Sequence, residues 1–437
     1  MVRPILIVAT VLSAAGAAQA APRALTIDDA VALALRSNPQ LASARARVEA
    51  SDDSASSVGR RMLPSIHVSD EFQQWNAPFA LPFGGMSFTV RDERTNTFTA
   101  SAAQPVLGLL KTNAQRESLD EQSGAARAQI AAAEADLRAN VQTQFLRVFE
   151  AQALEQIAAA SVHELGDQVT VAKARLASGV ITNADLLRIE VAVANAQQQG
   201  LEAHSQGQTA RAQLFAAIGI APQDAAELTL IEPADRLNGA RARAGSAMSG
   251  EMSLAAVLPQ AQSRRPELAQ QGHLVLAADR QASANAYALL PDIDLEAAYI
   301  RADGQPFSPK NSAFVGVKAT WAIWEWGATD LQRRAANAQA AAARRDRDTL
   351  ERQIESELTA SLAQGDAARG AVGSAEKAVA SAQEAYRVTD AALKAGTATT
   401  TDLLESQSEL TQARLNLTRA QYELVLSDVA LARASGS

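Results

Sequence analysis

Two periodicities divide this chain. Ile293, Leu295, Ala297 and Tyr299 alternate with Asp292, Asp294 and Glu296, and Ala313, Val315, Val317, Ala319 and Trp321 keep the same two-residue period. That period predicts strands with one apolar and one wet face. Ile66, Val68 and Phe72 begin a similar strand, and Thr95 to Ala103 form a weaker partner. The stretches Asn76–Glu93 and Arg301–Asn311 carry Pro and Gly and read as loops. Elsewhere the pattern is helical. No proline occurs from Val106 to Ala221 or from Lys310 to the end. An interior proline costs a helix about 3 kcal/mol, so these spans permit very long helices. Ala114 to Ser178 as a single helix of 65 residues reaches ~98 Å at about 1.5 Å per residue. The expected turn lies near Gly179, with a return through about Phe215, and a second hairpin turns at Gly396. On the last helix Leu403, Leu410, Leu417 and Leu424 are spaced by sevens, as are Leu415, Tyr422 and Val429. The stripes lie roughly 140° apart. They suit a helix with a neighbour on each flank, and equally a buried bundle helix.

The plan occurs twice. Asn38-Pro39-Gln40-Leu41 recurs as Arg265-Pro266-Glu267-Leu268, and Leu63-Pro64-Ser65-Ile66-His67-Val68 as Leu290-Pro291-Asp292-Ile293-Asp294-Leu295, both 227 positions later. Leu176 to Gly179 with Asp185-Leu186-Leu187 recurs as Leu393 to Gly396 with Asp402-Leu403-Leu404, 217 positions later. Such spacing implies two structural repeats, expected at 21–231 and 253–437 with a linker at 232–252. Pro39 and Pro266 suit first helical positions. The 14 prolines as a set are read as falling in the leader, at helix starts, around strands or in the linker.

Composition narrows the class. Apolar residues make up 47% and aromatics only 4%, so alanine carries much of the apolar count, which favours close helix packing. Residues 1–20 read as a signal peptide: Arg3, an apolar run from Ile5 to Leu12, and an Ala18-Gln19-Ala20 cleavage site. No later segment reaches the ~18 apolar residues of a spanning helix, so entry into a membrane requires a closed β-barrel. The absence of cysteine excludes disulfides, thiolate metal sites and a lipid-bearing N-terminal Cys. A net charge of −8 argues against nucleic acid as partner. His67, His163, His204 and His273 lack ligand spacing, and no phosphate loop or nucleophile elbow occurs, so no cofactor or metal site and no catalytic centre is expected. Four strands cannot close a barrel, since known transmembrane barrels have at least eight. If the strands cross a membrane, copies must combine; the periodicities do not choose three over two or four. A soluble four-stranded sheet shows the same alternation.

The ordered motifs resemble those of the TolC-like outer-membrane efflux family. They are Leu25-Thr26-Ile27-Asp28-Asp29-Ala30, Ala32-Leu33-Ala34-Leu35, Asn38-Pro39-Gln40-Leu41, the Leu-Pro-x-Ile strand entries, the run from Trp321 through Trp324 and Trp326 to Gly327, and both Gly-containing turns. The resemblance covers nearly the whole chain past residue 20. It implies a mainly α protein with a small transmembrane β part. Three copies form a 12-stranded β-barrel in the outer membrane, continued by a long periplasmic α-helical barrel. The implied function is the exit duct of a tripartite efflux or type I secretion system. Its partners are a periplasmic adaptor (membrane fusion) protein, an inner-membrane pump of the RND or ABC type, and outer-membrane lipid. Leu176, Gly179, Val180 and Ile181, with Leu393, Gly396 and Thr397, match the hairpin tips that meet the adaptor; each Gly also suits a helix C-cap. Asp402 and Glu405 match the acidic pore constriction, while Thr182 with Asp185 and Thr399 with Asp402 have capping-box spacing. Two departures stand out. Family members carry an arginine two residues after the second Gly and an aromatic three before it, where this chain has Ala398 and Leu393. Trp321, Trp324 and Trp326 suit either an interfacial girdle or packing at a strand-to-helix corner. A secreted coiled-coil adhesin or stalk is the alternative; it explains the leader and heptads but not the paired strand–hairpin plan.

Overall fold

The computed structural model describes residues 23–221, 228–245 and 253–436; the expected signal peptide and part of the expected linker lie outside these. The chain divides into two compact units. One holds the segments up to Ser37, Asn140–Ala242 and Ala375–Tyr422; the other holds Asn38–Ala139, Arg243–Ser374 and the segment from Glu423.

In the first unit, strand β1 (Arg23–Leu25) pairs in parallel with β6 (Leu228–Leu230), a pairing without sequence signal, and α1 (Ile27–Ser37) follows β1. The long helix α3 (Gly108–Ala177) and its return α4 (Asn183–Ile218) place Phe145, Leu146, Leu214 and Ile218 fully inside. Buried residues recur by sevens on both: Ala151, Ala158, Leu165 and Ala172 on α3, and Ile189, Ala196, Ala203 and Ala210 on α4. Small residues at the heptad seam let the helices approach closely, which is the packing that the alanine content calls for. The second hairpin is α8 (Ala328–Lys394) and α9 (Thr400–Ser435). Both leucine stripes of α9 are buried except at Leu417, which is half-buried. Leu415 packs with Leu154 and Ala203.

The second unit holds α2 (Pro39–Arg60) and α7 (Pro266–Tyr287), each opening on proline as read from the sequence. Asn38 caps α2, accepting from the Gln40 and Leu41 amides. Pro259 departs from that reading, because it lies inside α6 (Leu254–Arg264). The expected linker likewise contains a helix, α5 (Ala234–Gly245). Antiparallel strands β2 (Ser65–Gln74), β5 (Arg94–Pro105), β7 (Asp292–Asp303) and β8 (Asn311–Thr320) form one sheet in the order β2-β5-β7-β8. The expected loop Asn76–Glu93 is corrected: it contains a hairpin of β3 (Phe79–Phe83) and β4 (Met86–Arg91). Gly84 and Gly85, at φ 62° and 84°, make the two-residue turn that this connection requires.

The core of this unit gathers Val257, Ala261, Leu268, Ile354, Leu358 and Ala434. Beside it the buried Arg265 donates to the Ala434 carbonyl (2.8 Å) and to Glu357 (2.7 Å), tying down the last carbonyls of α9. Leu358 is wholly inaccessible, so Leu358→Ala is expected to cost about 2–5 kcal/mol. Thermal unfolding followed by circular dichroism measures it.

Candidate functional site

The two hairpin tips are built alike. The Gly179 N–H donates to Leu176 O (3.0 Å) and the Val180 N–H to Arg175 O (2.9 Å); the Gly396 N–H donates to Leu393 O (3.2 Å) and the Thr397 N–H to Ala392 O (2.9 Å). Gly179 and Gly396 sit at φ 75° and 78°, the left-handed cap that glycine adopts without strain. Three residues after each glycine the next helix begins on a capped threonine. The Thr182 hydroxyl accepts from the Asp185 N–H, and Asp185 accepts from the Thr182 N–H (2.9 Å) and hydroxyl (2.7 Å). Thr399 and Asp402 repeat this, with both donations to Asp402 at 2.8 Å. Of the expected tip residues, Gly179, Val180, Gly396 and Thr397 are exposed, and Leu176, Ile181 and Leu393 are half-buried.

Leu176 and Ile181 turn inward onto a cluster of Ala172, Leu186 and Ile189. Leu393 and Ile181 line a cavity of about 220 Å³ shared with Tyr386, Leu403 and Arg175. The inner side of the tip is thus partly apolar, while Val180 stands 70% exposed on its outside.

Asp402 and Glu405 are both exposed on the first turns of α9, three residues apart and so on one helix face. The backbone N–H and then the hydroxyl of Thr399 hold the Asp402 carboxyl below its ordinary range. The Thr182 hydroxyl and then its N–H do the same for Asp185, aided by Arg188. Capping and a charged surface thus coincide at Asp402: the bonds that start the helix also keep the group ionised.

One residue escaped the sequence reading. Arg188, on α4, donates to the Thr401 hydroxyl at the start of α9 (2.8 Å) and lies 4.0 Å from Asp185. A cationic link between the hairpins is therefore present although Ala398 lacks the expected arginine. Deeper in, Gln168 donates to the buried Gln407, which donates to Glu164 (3.4 Å). These partners are far apart in sequence, so no local spacing signals them.

The four-stranded sheet has two unlike faces. Directly paired residues share a face, and the register puts Ile66, Val68, Phe72, Phe98, Ala100 and Ala102 beside Ile293, Leu295, Ala297, Tyr299, Val315 and Val317. Asp70 and Arg301, in one row, and Asp303, in the row of Phe72, are charged members of that face near its loop end. The other face carries His67, Glu71, Thr97, Thr99, Asp294 and Lys318, with Lys318 3.3 Å from Glu296. The apolar face is bare: Ile66 is 78% and Val315 85% exposed. Trp321, Trp324 and Trp326 are also exposed beyond the end of β8, and Trp324 meets Trp326 edge-on at 5.8 Å. None of the three is buried within the chain, although the Trp321 indole donates to Leu289 O (3.2 Å) at the strand-to-helix corner. Among the described residues no helix is long and apolar enough to cross a membrane. No group of three or more His, Cys, Asp or Glu able to hold a metal occurs among them either. His163, His204 and His273 instead each face one carboxylate.

A family model described as outer membrane efflux protein matches residues 30–220 and 257–437. The outer membrane efflux protein BepC of Brucella suis biovar 1 (strain 1330) is 24% identical over 361 residues, covering 79% of this chain and 71% of that protein. Among solved structures, the CmeC outer membrane channel of Campylobacter jejuni is similar with a TM-score of 0.80 at 14% identity, over 94% of this chain and 85% of its own. The outer membrane protein VceC of Vibrio cholerae has a TM-score of 0.79 at 17% identity, over 94% and 96%.

The lowered Asp185 and Asp402 values fix the sign of a pH dependence. A carboxyl held below its unfolded value contributes stability above that value and loses it as pH falls through the folded one. Amide protection of the first turns of α4 and α9 is expected to be full at neutral pH and to fade below about pH 4. Thr399→Ala should cut α9 protection about fivefold at neutral pH, the effect of one lost cap. Hydrogen exchange read by mass spectrometry checks both.

Proposed function

The chain belongs to the outer membrane efflux protein family, and from that premise we propose that three copies assemble into one continuous exit duct. The protein resides in the outer membrane and extends into the periplasm. In the proposed assembly the three sheets close a twelve-stranded barrel, and the hairpins α3–α4 and α8–α9 continue it as a periplasmic helical barrel. The observation that carries this reading is a sheet with a bare apolar face and, among the described residues, no strand beside the outer edges of β2 and β8. In hydrocarbon such edges leave backbone groups unpaired, at several kcal/mol each. Pairing β8 of one copy with β2 of the next satisfies both edges. Four rows of apolar residues, from Ile293 to Tyr299, cover ~20 Å at about 6.8 Å per row, close to the ~25 Å band of outer-membrane barrels. The polar face then lines the pore, and the bare tryptophans beyond β8 sit at the periplasmic interface.

The division into a leader (1–20), two repeats (21–231 and 253–437) and a linker (232–252) belongs to the same proposal. It is supported by the tip geometry recurring at a 217-residue interval. The duct is a passive conduit and carries out no catalysis. Its partners are a periplasmic adaptor and an inner-membrane pump of the RND or ABC type, and the adaptor meets Leu176, Gly179, Val180, Ile181, Leu393, Gly396 and Thr397. Six carboxylates, Asp402 and Glu405 from each copy, ring the periplasmic mouth and favour cations. A secreted adhesin or stalk does not account for an efflux-family chain with a bare apolar sheet.

Purified protein in planar bilayers tests the reading. It is expected to form cation-selective channels, and chemical cross-linking in detergent is expected to stop at three chains. A protein that stays soluble without detergent and does not conduct would overturn it. The double variant Asp402→Ala, Glu405→Ala should move the reversal potential toward zero in a salt gradient. Arg188→Ala, which removes the link to Thr401, should raise conductance with trimer yield unchanged.

A further inference from the structure

The hairpin β3–β4 is strongly one-sided. Leu81 pairs with Phe88 and Phe83 with Met86, and residues directly opposite share a face. An irregularity follows Phe79, where Val90 is the extra residue on β4; by alternation along the uninterrupted β3 Phe79 joins them, so five large apolar side chains lie on one surface. The reverse surface pairs Ala80 with Thr89 and Pro82 with Ser87. The apolar surface is uncovered within the chain: Phe83 is 79% and Met86 64% exposed.

The hairpin is nevertheless firmly rooted. The Trp75 N–H donates to Glu93 O (2.7 Å), and the Asp92 N–H donates to Gly304 O (2.8 Å) on the β7–β8 turn. At Gly304 the Arg94 carbonyl approaches so closely that no Cβ fits. The side on which the apolar surface lies follows from three linked contacts. The Trp75 indole donates to the Thr95 hydroxyl (3.2 Å), and Thr95 pairs with Gln73 on the polar face of the sheet. The Arg91 guanidinium stacks 3.6 Å above that indole. Arg91 is in turn the direct partner of Phe79. The apolar surface of the hairpin therefore continues the polar face of the sheet, away from the face bearing Val68 and Val315.

We propose that this surface is covered by the same surface of the two other copies, so that three hairpins close the outer mouth with an apolar plug. This rests on the barrel reading above, in which the polar sheet face lines the pore. A surface turned to the pore side is turned from lipid, and cyclic symmetry brings its three copies toward one axis. Five bare apolar side chains per copy in a water-filled mouth find cover there only in one another. Such a constriction restricts the passage of water and ions until the hairpins part, the dewetting form of gate. It lies at the loop end of the sheet and uses none of the tip residues.

The chain has no cysteine, so a single Phe83→Cys is a unique probe, and Val315→Cys marks the proposed lipid face. Each is labelled with an environment-sensitive fluorophore in liposomes and challenged with iodide in the water or with spin-labelled lipid. The plug predicts that label at 83 resists both quenchers, and that unlabelled Phe83→Cys is joined between copies by a short bismaleimide. It also predicts that Leu81→Ser with Phe83→Ser raises single-channel conductance about twofold or more. Quenching at 83 by spin-labelled lipid places the hairpin in the membrane and overturns the plug. Quenching by iodide without cross-linking leaves it bare in water, which also overturns it. If label at 315 is not quenched by lipid, the barrel reading fails and the plug with it; lipid quenching at 315 with iodide quenching at 83 removes the plug alone.

Discussion

The outer edges of β2 and β8 impose the constraint on which the rest depends. A strand in hydrocarbon has no water to satisfy its amides and carbonyls, so each edge needs another strand. Among the described residues the sheet order β2-β5-β7-β8 leaves two edges without one. In the proposed duct that constraint calls for further copies and a common register at every seam, and the contact with lipid on one side and water on the other calls for an apolar and a polar face. Strands of this kind alternate because they separate lipid from water. In the proposed duct the helices do not touch lipid and are free to be polar and long.

The helices meet a different requirement. A ring of long helices needs backbones that approach closely over many turns, and heptads with Ala158, Ala172, Ala196 and Ala203 at buried positions supply it. Each hairpin must also reverse direction without leaving amides or carbonyls unpaired. A left-handed glycine followed three residues later by a capping threonine does so in both hairpins. The same aspartate that completes the cap presents a charge at the end of the hairpin. Stability and electrostatics are served there by one group, so removing its carboxylate changes both.

What was legible in the sequence was what is local. Pro39 and Pro266 at helix starts, Gly179 and Gly396 in the turns, and the threonine–aspartate caps each act within a few residues, and each lies where the spacing placed it. Alternation made β7 and β8 readable, whereas β2 showed it only at Ile66, Val68 and Phe72 and β5 more weakly over Thr95 to Ala103. The β3–β4 hairpin was hidden because Pro82 and the Gly84-Gly85 pair resemble loop punctuation, although two glycines between alternating segments are also the signature of a tight hairpin. The β1–β6 pair, three residues in each strand and some 200 apart, leaves no pattern. Pro259 inside α6 defeats the rule that prolines mark boundaries.

Arg188 shows why residue-by-residue transfer from relatives is fragile. A cationic link between neighbouring helices depends on which groups face each other across the gap, and either helix can supply the cation. In this chain position 398 is alanine, yet a guanidinium reaches Thr401 from α4. The hydroxyl it meets lies one residue before Asp402, so the link is anchored to the turn that the cap already stiffens. A closing contact is thus better sought as a pair of facing groups at the tip than as a letter at one position.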